Sequence, residues 1–369
     1  MDGNFYSNFT TKLIKACCQL QPARFDMFTC LPLRKNTFPR IKDILLNILA
    51  KSKIPLRLFD PQQAENVLTN LFAHQDELTQ AYSLLSDDYS RTTYIQVLLF
   101  RILGPRHVVM PVFWKEYIAA YSKVVSHLRR KNLEKTRIWT FNEYSFNGKN
   151  SQITLIVPEG SILFILLLEQ YAYRRGNTAI EIEPGDSVID GGACWGDVAM
   201  YAADKAGPDG QVFSFEFVKE NLRHFNKNIE LNPTLKNRVS ILEYALHSES
   251  GKRFSFNSNE GPGTSVERKS DKADVEVESA AIDDLVRKRT MESVDFIKLD
   301  IEGSELACLK GAQESIRRFK PKLAIASYHR VEDFWELPLF IHSINSGYRF
   351  YFDHFAPNMW ESMLYAKSE

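Results

Sequence analysis

The sequence predicts an α/β protein, a doubly wound and mostly parallel sheet closed by an antiparallel C-terminal hairpin, with a helical region in front of it. Three observations predict it. Short apolar runs alternate with helical stretches beyond about residue 180, as strands of a sheet covered on both faces do. A glycine-rich segment stands where the first of these runs must turn into a helix. The last two runs, YRFYFD and MLYAK, are separated by a loop too short for a crossover helix, so they must pair antiparallel. A chain of 369 residues exceeds what one core usually organises. Two units are therefore expected, a helical accessory domain over 1–138 and a sheet domain over 139–369.

Composition narrows the function classes. The 46 Lys plus Arg balance 46 Asp plus Glu, so no global field draws the chain to nucleic acid or to an anionic membrane. The most basic stretch, residues 123–137 with Arg129, Arg130 and Lys131, reads as a solvated helix face near the boundary rather than as a phosphate contact. Cys17, Cys18, Cys30, Cys194 and Cys308 are odd in number and form no CxxC pair, which argues against a zinc site or a disulfide framework. The start, MDGNFYSNFTTKLIK, lacks the apolar core of a secretion signal, and the longest apolar run, residues 162–168, is far short of a bilayer span. A cytoplasmic protein without membrane or nucleic-acid partners is the expectation.

In chain order, Ile41, Ile44, Leu45, Ile48 and Leu49 repeat at helical spacing, as do Val67, Leu68, Leu71 and Phe72. Ile95, Leu98, Leu99, Ile102 and Leu103 mark a further helix that Gly104-Pro105 stops. None of these stripes carries clustered polar groups, and the region reads as a scaffold. IWTFNEYSF and ITLIVP then read as strands around the turn dipeptide Asn147-Gly148, and SILFILLLEQYAY as a buried helix. SVID, QVFSFE, RVSILEYAL, DFIKLD and LAIASYH follow as the parallel strands.

The strongest motif spans Asp190, Gly191, Gly192, Ala193, Cys194, Trp195, Gly196 and Asp197. Glycine lets the backbone turn tightly and approach a ligand. Asp197 is placed to cap the next helix, which Gly207-Pro208 closes, and Asp190 ends its strand at the sheet's carboxyl edge, where ligands of open α/β folds bind. A dinucleotide fingerprint needs glycine at the third position, where Ala193 stands, and the Trp195 indole is awkward beside a pyrophosphate. Both are acceptable beside S-adenosylmethionine, which has no phosphate. Glu216, at the end of QVFSFE and followed by Phe217, is placed to accept hydrogen bonds from both hydroxyls of a ribose. Glu243 to Leu246 should run beside an adenine, with Glu243 open to two readings, an acceptor for the adenine amino group or a solvated strand residue.

DFIKLDIEGSEL, followed by Leu309-Lys310-Gly311-Ala312, closely resembles the FkbM family of methyltransferases. The DGGACWGD turn, the AIDDL lead-in at 281–285 and the Tyr365-Ala366 ending share the resemblance, which covers roughly residues 140–367. Cys194 departs from it, since members more often have a small polar residue there. The resemblance implies a class I, Rossmann-like methyltransferase fold, S-adenosylmethionine as cofactor, and transfer of a methyl group to a hydroxyl of a sugar or secondary metabolite. Nicotinamide oxidoreduction and a non-catalytic nucleotide-binding scaffold are the competing classes.

At the reacting end, Asp300 reaches the same edge as Asp190 and Glu216, and Glu302 follows in the turn to the next helix. Carboxylates there favour a sulfonium cation, and one can remove the acceptor's proton. His329 ends the next strand and suits general-base work as a neutral imidazole. His354, after YRFYFD, is placed to wall the acceptor pocket. Asp300, Glu302 and His329 offer the donors for a divalent cation, but nothing in their spacing demands one, and no metal is expected.

Overall fold

The computed structural model describes residues 25–26 and 31–32, most of 67–103, parts of 108–136, and then 139–256, 275–356 and 358–369. The helical stripe at 41–49 and the stop at Gly104-Pro105 lie outside the described residues.

Seven strands form the central sheet: β1 (Ser187–Gly191), β2 (Gln211–Phe215), β3 (Val239–Leu242), β4 (Phe296–Leu299), β5 (Lys322–Ala326), β6 (Tyr348–His354) and β7 (Ser362–Ser368). Their order is β3-β2-β1-β4-β5-β7-β6. β1 to β5 run parallel, and β7 lies antiparallel between β5 and β6. Every residue of β1, β4 and β5 is buried, as a parallel strand covered on both faces requires. Alternate residues serve alternate cores. Ile189, Ile297, Leu299, Leu323 and Ile325 join one apolar cluster, while Val188, Phe296, Ala324 and Ala326 join the other.

Helices α1 (Gln75–Leu84) and α2 (Asp88–Leu103) precede the sheet in sequence but belong to its first core. The crossovers include α3 (Asp197–Ala206), α4 (Lys219–Leu231), α5 (Ile282–Arg287), α6 (Glu305–Lys310), α7 (Gln313–Phe319) and α8 (Asp333–Ile344). Leu78, Tyr94, Leu98 and Ile102 sit in the same cluster as Phe334, Phe350 and Phe352. The boundary expected near residue 138 therefore does not coincide with a gap in the core. One contact shows how closely the pieces are fitted. Pro338 lies inside α8 and has no N–H for the carbonyl of Phe334, four residues earlier. The Tyr94 hydroxyl of α2 donates to that carbonyl instead, at 2.8 Å.

Three segments differ from the expectation. Residues Arg129–Lys135, read as a helix face, are a strand paired antiparallel with Thr140–Asn147, which pairs in turn with Gln152–Pro158. The side chains of Asn228 on α4 and of Asn232, which caps its C-terminus, take the place of a further strand beside Gln152–Pro158. Asn228 Oδ1 accepts from the Ile156 N–H at 2.7 Å, and Asn232 Oδ1 from the Thr154 N–H at 2.9 Å. SILFILLLEQYAY is only partly helical. After a turn at Glu159–Ser161 the chain forms a wide π-type coil over Ile162–Leu167, Glu169 takes a left-handed φ of 49°, and Tyr173–Arg175 pairs with Thr178–Ile180. RVSILEYAL breaks after Leu242, and Ala245–Leu246 leaves the main sheet to pair with Val275–Ala280. No helix among the described residues is long and apolar enough to cross a membrane.

Candidate active site

The glycine turn is held open by its packing. Gly192 has φ +77°, and a Cβ there would lie 2.0 Å from the Asp300 carbonyl oxygen, so only glycine lets β1 and β4 end side by side. Gly196 has φ +78°, with the Phe225 ring 2.1 Å from where its Cβ would stand. Beneath the turn lies Lys298, in the middle of β4 and 2% exposed. Its Nζ donates to Asp190 Oδ1 at 3.0 Å and to the carbonyls of Gly191 and Gly192 at 2.9 and 2.8 Å. Burial alone would lower the pKa of this ammonium, but the carboxylates of Asp190 and Asp300 more than offset it and the net shift is upward. Asp190, wholly buried, also accepts from Ser214 Oγ. It anchors the turn from below and faces Lys298.

A cleft of about 560 Å³, measured out to its open mouth, lies over the carboxyl ends of β1, β2 and β4. Gly192, Cys194, Glu216 and Phe217 line one side, Tyr244, Ala245 and Leu246 another, and Asp300, Ile301 and Glu302 the third. Glu216 Oε1 accepts from the N–H groups of Phe217 and Val218, both at 2.7 Å, and Oε2 accepts from Asn221 Nδ2 at 3.1 Å. Burial pushes its carboxyl up to about 7, against the pull of these hydrogen bonds.

On the third side the ionisable groups crowd. Asp300 accepts from the Tyr171 hydroxyl at 2.9 Å and from the Tyr328 hydroxyl at 3.0 Å. Glu302 stands at φ 58°, a left-handed conformation that costs a non-glycine residue energy and is held here by Gly303 at φ +101° and the start of α6. His329 Nε2 lies 3.4 Å from Asp300 Oδ1 and 3.7 Å from Glu302 Oε2, while Nδ1 lies 3.0 Å from Glu305 Oε1. Burial opposes the charged imidazole, but the carboxylates of Glu305, Asp300 and Glu302 outweigh it and lift its pKa to about 10. A neutral base was expected at His329. Surrounded by carboxylates, the ring carries its proton at neutral pH and ties them together.

Other expectations need correcting by position. His354 is wholly buried, with Nδ1 2.8 Å from Ser362 Oγ and Nε2 2.5 Å from the Ala356 carbonyl, and burial takes its pKa down to about 3. It pins the β6–β7 loop and does not line the cleft. Trp195 turns away from the cleft to meet Trp139 and Phe141 edge-on, at 5.3 and 5.4 Å. Glu243 is exposed, and its neighbour Tyr244 lines the cleft. Asp197 is the first residue of α3, behind the N-cap Gly196, and its Oδ1 accepts from the Val198 N–H at 3.1 Å. Gly191, Ala193 and Gly196 shape the turn without lining the cleft. Lys298, Glu305, Tyr171 and Tyr328 are candidate-site residues that the sequence reading missed, whereas Tyr244 belongs to the stretch expected beside an adenine.

Residues 177–360 match the model of the methyltransferase FkbM domain. Over this span the chain carries an FkbM methyltransferase domain. Its fold is similar to that of the FkbM methyltransferase from Methylobacillus flagellatus KT, with a TM-score of 0.52 and 20% identity over 81% of this chain and 60% of that one. The chain thus spans less than two thirds of that protein's length. Aeropyrum pernix fibrillarin, solved with natively bound S-adenosyl-L-methionine, is more distant, with a TM-score of 0.38 and 14% identity over 64% of this chain and 91% of that one. No curated protein is significantly similar to the chain.

The cleft of this FkbM domain fits S-adenosylmethionine by its donor set. A buried carboxylate for a ribose diol (Glu216) stands opposite two carboxylates for a cation (Asp300 and Glu302), with an aromatic and aliphatic wall for adenine between them (Tyr244 to Leu246). Among the described residues no lysine or arginine lines it.

Proposed function

We propose that this S-adenosylmethionine-dependent methyltransferase methylates a hydroxyl oxygen of a small acceptor, a sugar or a secondary metabolite. The observation that carries the reading is that Asp300 and Glu302 line the same cleft as Glu216. When bound, S-adenosylmethionine supplies a methyl group made electrophilic by its sulfonium. Glu216 would hold the ribose end, and the backbone of Gly192 to Cys194 would take the amino-acid tail. Asp300, its carboxylate oriented by the Tyr171 and Tyr328 hydroxyls, offers the charge that a cationic sulfur centre needs. Glu302 receives the acceptor's proton as the oxygen takes the methyl group, and the protonated His329 keeps both carboxylates in place.

The N-terminal helices support the acceptor side. Arg101 of α2 donates to the Tyr328 carbonyl at 2.6 Å, next to His329, and to the Met359 carbonyl at 3.4 Å. This is consistent with an accessory region that shapes acceptor access without binding the cofactor.

The test is Glu302→Gln, assayed against a panel of glycosides and polyketides. Methyl transfer should fall roughly 10²–10⁴-fold, as loss of a positioned base usually causes, while affinity for S-adenosylhomocysteine, which lacks the sulfonium charge, stays unchanged. Near wild-type turnover would mean that the proton leaves to water.

A further inference from the structure

The third side of the cleft holds more acid than the methyl-transfer reading uses. Glu305, the first residue of α6, is fully buried. Its Oε1 accepts from the Ile301 N–H at 2.8 Å and faces His329 Nδ1. Its Oε2, equally buried, has no hydrogen-bond partner among the described residues. An unpartnered buried carboxylate oxygen is costly and asks for a ligand. His329, with its side chain 7% exposed, has carboxylates beside both nitrogens, yet neither nitrogen is aligned for a hydrogen bond. One donor atom each from Asp300, Glu305 and His329 lies within 4.8 Å of the others. Glu302 approaches the same ring, 3.7 Å from His329 Nε2. A second set, Glu134, Glu220 and His224, is equally close, but Arg223 already bonds both of its carboxylates, and it carries nothing.

We propose that Asp300, Glu305 and His329 bind a divalent, oxygen-preferring cation, Mg²⁺ or Mn²⁺, at the mouth of the cofactor cleft, revising the expectation of no metal. Two carboxylates and one imidazole give such an ion three protein ligands and leave its other positions to water or a substrate oxygen. The imidazole proton and the cation are alternative occupants of one negative pocket. Asp300 and the neighbouring Glu302 line the cleft, so the open positions face the place where the acceptor must lie. There the ion would hold the acceptor's hydroxyl and make its proton easier to lose. That role rests on the proposed O-methylation; the binding site does not.

The probe is Mn²⁺, added to the full-length protein after chelator treatment and followed by the loss of the free-ion electron paramagnetic resonance signal. One Mn²⁺ should be taken up per chain, and Mg²⁺ should compete for it. Glu305→Gln and His329→Gln, each shown folded by its melting transition, should weaken uptake at least about tenfold. Either variant suffices if the other fails to fold. No uptake by the folded wild-type protein at millimolar Mn²⁺, or uptake unchanged in a folded variant, overturns the site. S-adenosylhomocysteine binding measured in the same samples without metal reports on the cofactor reading separately.

Discussion

The two halves of the sheet's carboxyl edge solve opposite electrostatic problems. On the cofactor half, around β1 and β2, buried polar groups answer one another. Lys298 meets Asp190 and two turn carbonyls, and Glu216 accepts from two backbone N–H groups and Asn221. On the reacting half, around the ends of β4 and β5, carboxylates crowd one imidazole and a buried oxygen of Glu305 is left over. A satisfied network holds a shape ready for a neutral ligand surface. An unsatisfied one is tolerated where a charged partner is to arrive, here a sulfonium and, by our proposal, a metal ion. By our proposal the first half binds the cofactor and the second carries the chemistry, and the Glu302→Gln test addresses the second half with the largest expected effect.

Removing a buried charge from the first half should come next in size. Lys298→Met leaves Asp190 uncompensated at zero exposure and two turn carbonyls without their donor. Breaking such a pair typically costs 3–5 kcal/mol. Chemical denaturation should show a loss of about that size, together with loss of S-adenosylhomocysteine binding. A variant of wild-type stability would mean that the lysine does not hold the turn.

Tyr94→Phe sharpens the contrast from the other side. It strips the Phe334 carbonyl, already denied its helical donor by Pro338, of the hydroxyl that replaces it. An orphaned buried acceptor costs about 1–3 kcal/mol. Stability should fall by that amount while S-adenosylhomocysteine affinity stays put, because α2 packs on β6, at the sheet edge away from β1 and β2. A parallel loss of affinity would deny the two halves their independence.

The smallest effect is a pH dependence confined to the cofactor half. The Glu216 carboxyl, raised to about 7 by burial, is mostly protonated at pH 6 and mostly ionised at pH 8. Because its folded pKa exceeds the unfolded value near 4.3, its contribution to the stability of the ligand-free protein is full below pH 4 and is lost as pH rises through 7. Ribose hydroxyls need the ionised acceptor, so affinity moves the other way. It should be about tenfold weaker at pH 6 than at pH 8, one pH unit below the folded pKa corresponding to a factor of ten. Calorimetry at the two pH values checks this, and Glu216→Gln should flatten the dependence.

Much of this contrast was legible in the sequence, and the failures have physical causes. The glycine turn and Glu216 were readable because both are local, a strand, a turn and an acid at a fixed distance along a βαβ unit. His354 was put on the wrong side because one residue of register decides which face of a strand a side chain takes; Trp195 lies in the turn between β1 and α3, where no strand period sets its direction. His354 still belongs to β6, and the expected strand had ended one residue earlier. Lys298 did leave a signal. A charge inside the fully buried run DFIKLD needs a buried partner, and Asp190 is its nearest equivalent on the neighbouring strand, the two paired in register. Glu305 looked like an ordinary acid in a first helical turn; only the strand ends brought together by the fold show that it faces His329. The stripes of α1 and α2 predicted apolar helices, but a stripe does not say which core it joins, and Pro338's need for a donor from Tyr94 could not be read from either segment alone.

The central claim is that the cleft between Glu216 and Asp300 binds S-adenosylmethionine, and thermal denaturation with its demethylated product tests it most directly. Full-length protein should gain roughly 2.7 kcal/mol of stability at a hundredfold excess of S-adenosylhomocysteine over its dissociation constant, and none from NAD. The gain should be lost in Glu216→Ala, which removes two ribose hydrogen bonds at a cost of about 2–3 kcal/mol of affinity. Stabilisation by NAD instead, or an undiminished response to S-adenosylhomocysteine in Glu216→Ala, would contradict the account.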